Sequence, residues 1–72
     1  MTLYAIYVTS KDSINKVVDI LRRNGITVKS INEQLLMVLA DIPQSKLDVI
    51  SELHSKAGVR MVERADYPFF TA

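Results

Sequence analysis

Two rhythms alternate along this chain, one of period two and one near 3.6. From Leu3 to Thr9 aromatic and β-branched residues dominate, which predicts a strand. Ser10 to Ser13 offers N-cap candidates, and Ile14, Val17, Val18 and Leu21 then recur at helical spacing. Asn15, Lys16, Asp19, Arg22 and Arg23 take the opposite side, where the two arginines suit the negative end of the helix dipole. Asn24-Gly25 predicts the stop, because glycine adopts the left-handed conformation that closes a helix. Ile26, Val28 and Ile31, with polar Thr27, Lys29 and Ser30 between them, predict a sheet-edge strand with one wet face. Asn32-Glu33-Gln34 is a turn, and the unbroken apolar run Leu35 to Ala40 predicts a central strand covered on both faces. Asp41-Ile42-Pro43 opens a second helix, with Ser45 and Asp48 placed to form a capping box. Leu47, Ile50, Leu53 and His54 make its stripe, closed by Ala57 and Gly58. Val59 to Glu63 is the last strand, and Pro68 bars regular pairing in the tail that follows.

The two halves match when the chain is displaced by 33 positions: Ile14 on Leu47, Val17 on Ile50, Ile20 on Leu53, Gly25 on Gly58, Val28 on Met61. Two strand–helix–strand units with right-handed crossovers interleave into one antiparallel sheet. The predicted fold is α+β, a ferredoxin-like βαββαβ domain whose four-stranded sheet carries both helices on one face. Residues 1–72 form a single domain, with a core over 1–64 and a tail over 65–72. The first and third strands are central in this arrangement.

Composition narrows the function. A chain of 72 residues supports a net stability of roughly 3–5 kcal/mol. It has no cysteine, hence neither disulfide nor thiolate chemistry, and 49% hydrophobic residues must hold it together. Nine basic and eight acidic residues leave a net charge of +1, which argues against a nucleic-acid partner. No apolar run approaches the roughly 20 residues of a membrane span, and the opening Met1-Thr2-Leu3-Tyr4-Ala5 is a strand rather than a signal peptide. A cytoplasmic location is the expectation.

The chain offers little chemistry. Its one histidine, His54, stands among ordinary helix-surface residues, and no His/Cys/Asp/Glu cluster has metal spacing. Its serines occupy cap and surface positions, and both glycines close helices, so no phosphate-cradling loop is present. No catalytic residue, metal or cofactor is expected. An RNA platform needs stacking aromatics on both central strands, but the third strand has none, and Tyr4 and Tyr7 point to opposite faces of the first.

Both faces of the central strands are apolar. Leu3, Ala5 and Tyr7 lie on one side of the first strand, and Tyr4, Ile6 and Val8 on the other. Met37 and Val38 stand likewise on opposite sides of the third. Whichever set meets the helices, the remainder forms an oily patch of the kind that marks a protein partner, either another protein or a second copy.

The sequence resembles the propeptide-type subtilisin inhibitors, which comprise subtilisin prodomains and free fungal proteinase B inhibitors. The likeness rests on Tyr4-Ala5-Ile6-Tyr7-Val8, on Asn24-Gly25-Ile26-Thr27-Val28, on Leu39-Ala40-Asp41-Ile42-Pro43 and on the closing Gly58-Val59-Arg60-Met61-Val62-Glu63. It implies a stand-alone inhibitor or folding chaperone of a subtilisin-type serine protease. The open sheet face would dock, through Met37 or Val38, and the tail Phe69, Phe70, Thr71 and Ala72, with Tyr67 before it, would lie in the substrate cleft like a cleaved product. Ala72 would fill the pocket beside the scissile position and Phe69 a deeper apolar one. Alternatively, the aromatics of the tail cap the domain's own core. The chain departs from the family at Asn32-Glu33-Gln34, where a glycine-bearing turn is usual. The competing expectation is a homodimeric interaction or regulatory module of the ACT type, although Ser10-Lys11-Asp12-Ser13 lacks the Pro-Gly loop of an ACT ligand site.

Overall fold

The structure, a computed structural model, describes residues 2–65. Its elements run β1 (Thr2–Val8), α1 (Lys11–Arg23), β2 (Thr27–Asn32), β3 (Met37–Ile42), a 3₁₀ turn (Gln44–Lys46), α2 (Val49–Lys56) and β4 (Val59–Arg64). One antiparallel sheet has the order β2-β3-β1-β4, so β1 and β3 are central, as the interleaved halves require. This is the ferredoxin-like βαββαβ topology. Ile6, Val8, Val38, Ala40 and Ile42 on the sheet meet Ile14, Val17, Ile20 and Leu21 of α1 and Val49 and Leu53 of α2 in a single core.

The start of α1 is set by Ser10, whose extended backbone lets Oγ accept the Ser13 N–H at 3.4 Å. Its end is a Schellman closure. Ile26 N–H donates to Leu21 O at 2.9 Å, Gly25 N–H donates to Arg22 O at 3.0 Å, and Gly25 sits at φ +71°. The Ile26 and Leu21 side chains are both buried. Ile20, rather than Val18, completes the fully buried stripe, and Val18 is half-buried at its margin.

Four expectations need correction. The third strand begins at Met37, and Leu35 and Leu36 belong to the turn. The Asn32 carboxamide accepts the Leu35 N–H at 3.0 Å, and Leu36 adopts a left-handed φ of +52°. That conformation is unfavourable for a branched residue. It is held because the Leu36 carbonyl accepts the Val8 N–H at 2.9 Å and its side chain packs on the core. The second helix does not begin at Pro43. Asp41 and Ile42 finish β3, a 3₁₀ turn follows, and α2 starts only at Val49. No Ser45–Asp48 capping box opens α2, since Ser45 lies within the 3₁₀ turn and Asp48 itself directly precedes the helix. The stripe of α2 is therefore Val49 and Leu53 with half-buried Ile50, while Leu47 and His54 are exposed.

Both edge strands carry a bulge, at Lys29 in β2, between the paired residues Val28 and Ser30, and at Arg60 in β4, between Val59 and Met61. A bulge twists an edge and blunts it against pairing with another chain. The bulges fall at different places in the two halves. Val28 therefore faces the core opposite Ala40, whereas its repeat mate Met61 stands beside Tyr7 on the other face.

Gly58 closes α2 at φ +64°, and a Cβ built there would lie 2.6 Å from Ser13 Oγ. Gly58→Ala is expected to cost about 2 kcal/mol, lowering Tm by roughly 8–16 °C in a domain this small. Adding Ser13→Ala should recover part of the loss, by relieving the clash but not the backbone strain. Thermal unfolding followed by circular dichroism checks this; an unchanged Tm for Gly58→Ala contradicts it.

Candidate docking face

The sheet face away from the helices is a grid of three rows read across β2, β3, β1 and β4. Strand pairing gives the rows Thr27–Asp41–Leu3, Ser30–Leu39–Ala5–Glu63 and Asn32–Met37–Tyr7–Met61. Ala65 N–H donates to Leu3 O at 2.8 Å and extends the first row. The β2 column is polar, and the two central columns are apolar apart from Asp41. Side-chain alternation puts Met37 here and Val38 beneath. Val38 is completely buried on the helix-covered side, so as a partner-binding candidate it is corrected to a core residue. Met37 and Leu39 are half-buried, and no described residue covers them as the helices cover Val38.

Ala5 is the smallest side chain at the centre of the grid, and larger neighbours bury it to 3% exposure. The result is an open depression of about 390 Å³ walled by Leu3, Tyr7, Met37, Leu39, Glu63, Arg64 and Ala65. One rim is fixed by side-chain bonds. The Tyr7 hydroxyl donates to Glu63 Oε1 at 3.2 Å, and the Arg60 guanidinium lies 5.7 Å from the centre of the Tyr7 ring. Arg60 is also the bulged residue of β4, so the irregularity that blunts the edge coincides with the cation over the ring.

Partial desolvation, followed by the hydrogen bond and charge of Glu63, pushes the Tyr7 phenol above its ordinary 10.0, against an opposing pull from Arg60. A raised phenol pKa means that the folded state holds this proton more tightly than the unfolded chain does. The associated stability is complete below the unfolded phenol's value of about 10 and is lost as pH rises through the folded value. In ultraviolet titration, the phenolate signal missing from Tyr7→Phe should appear late, and Glu63→Gln should move it earlier. An unmoved titration in Glu63→Gln contradicts the coupling.

A second concavity of about 250 Å³ lies at the end of the sheet, lined by Thr2, Tyr4, Ile42, Gln44, Leu47 and Arg64. It has no cluster of catalytic groups. Among the described residues no three His, Cys, Asp or Glu side chains group as metal ligands, and no helix is long and apolar enough to cross a membrane. Tyr67, Phe69, Phe70, Thr71 and Ala72, the tail candidates, lie outside the described residues. Sequence reasoning missed the depression over Ala5, which exists only because three strands in register surround a small residue with large ones.

Compared with protein-family models, with curated proteins and with solved structures, the chain matches none.

Proposed function

We propose that this chain is a binding module, not an enzyme, and that it acts as a propeptide-like inhibitor or folding chaperone of a subtilisin-type serine protease. The sheet face carrying Leu3, Ala5, Tyr7, Met37 and Leu39 docks on the protease surface. The C-terminal tail, from Tyr67 to Ala72, enters the substrate cleft as a product-like strand, gaining main-chain hydrogen bonds by β-augmentation.

One observation supports this reading above the others. The apolar depression and the start of the tail share a face, because Ala65 lines the depression and is bonded to Leu3 beside it. A partner seated on the face therefore lies next to the root of the tail. Area argues in the same direction. Three rows of side chains across four strands cover only about 400 Å² by strand spacing, against roughly 800 Å² per partner in a standard interface. A face-to-face homodimer of this sheet alone falls short by half, whereas a face used together with an extended tail approaches the standard. The test is inhibition of a subtilisin-type protease by the intact chain, with sedimentation of the free chain to score self-association. Inhibition by a monomeric chain supports the reading. A stable dimer without inhibition moves the chain to the homodimeric, ACT-like alternative.

A further inference from the structure

We infer that Asp41 is the point at which the open face takes a basic side chain from its protein partner. The inference rests on the open face being the docking surface and specifies what the partner must present there. Asp41 is the only charged residue in the two central columns of the grid, flanked by Leu3 on β1 and Thr27 on β2. Its Oδ1 is buried and has no hydrogen-bond partner among the described residues. The other carboxylate on this face, Glu63, already accepts the Tyr7 phenol. The cation at that end, Arg60, is engaged with the Tyr7 ring, two rows away from Asp41.

A carboxylate oxygen left without a donor destabilises the free domain, since a buried polar group is costly unless bonded. Residues that break the rules of stable packing while gaining nothing within the fold mark places where function is built. Asp41 as a whole is only half-buried, so a protein laid on the face reaches it. A half-turn of the carboxylate only exchanges two equivalent oxygens, so an incoming donor bonds the accessible edge of the carboxylate while the other oxygen stays against the fold. An acidic acceptor set in an apolar field favours a Lys or Arg from the partner, because a charge-assisted bond formed as water leaves is the strong kind.

The test uses the full chain, the Asp41→Asn variant and a subtilisin-type protease as probe, read by Tm of the free chain and by inhibition at low and high salt. Asp41→Asn should raise Tm by about 4 °C, because a neutral amide is cheaper to leave unbonded than a carboxylate. It should weaken inhibition about 10- to 100-fold at low salt, with a smaller difference at high salt. A lower Tm for Asp41→Asn overturns the inference whatever the partner, since the carboxylate is then satisfied within the fold. Equal inhibition by the two chains overturns it while leaving the docking proposal standing. A wild-type chain that does not inhibit removes the protease reading and this inference with it.

Discussion

Val38→Asp should leave no folded domain, while Met37→Asp, one residue away, should fold. Val38 is wholly enclosed between the sheet and the helices, in contact with the core that also holds Ile6, Leu21 and Leu53. A carboxylate placed there has no donor and no water, at a cost of several kcal/mol. A domain of this size has roughly 3–5 kcal/mol to lose. Met37 is half-buried on the opposite face, where an aspartate keeps contact with water. Its cost to stability should stay near 1 kcal/mol, as for an ordinary surface change in a strand. Its effect belongs to binding, since it adds a second charge to an apolar field and should weaken docking by tenfold or more. Urea unfolding followed by circular dichroism separates the two. If both variants fold with equal stability, the assignment of faces along β3 is wrong.

The second large effect concerns the tail. Deleting Phe69 to Ala72 should leave a folded domain, because all four strands, both helices and the buried cluster between them are formed by residues that precede the deletion. Under the proposal, the loss is a strand of main-chain bonds and one aromatic anchor in a pocket. Anchors of this kind are worth about 2–4 kcal/mol, so inhibition should weaken by roughly 30- to 1,000-fold. Phe69→Ala alone should account for much of that. Lys16→Ala on the exposed side of α1 should change nothing. Inhibition constants for the four chains, with circular dichroism of each, check it. Equal potency with and without the tail sinks the product-like mechanism. An unfolded truncated chain assigns the aromatics to the core.

How much of this was visible in the residues depended on how local each feature is. Element types and their order were legible, because helix stops at Asn24-Gly25 and Gly58 and the strand rhythm of Leu3 to Thr9 are encoded within a few positions. The two faces of β1 followed from alternation alone. Elsewhere a local signal lost to tertiary context. The run Leu35 to Ala40 looks uniform, yet a side-chain bond from Asn32 and a carbonyl used by Val8 draw its first two residues into a turn. Pro43 suits a helix start, but Ile42 is needed in the core at the end of β3, and the true helix waits until Val49. The internal repeat hid the bulges, whose unequal placement turned Met61 onto the open face. The depression over Ala5 and the unpartnered oxygen of Asp41 depend on register across three strands, which no single stretch of sequence carries.

The proposal that the open sheet face is the docking surface is tested most directly by a footprint. Labelled chain is titrated with a catalytically inactivated subtilisin-type protease, and backbone amide shifts are followed by NMR. Leu3, Ala5, Tyr7, Met37 and Leu39 should move on saturable binding, while the exposed positions of α1, Asn15, Lys16 and Asp19, stay where they are. Binding that moves α1 and spares β1 and β3 would contradict the docking claim, and the absence of any binding would remove it.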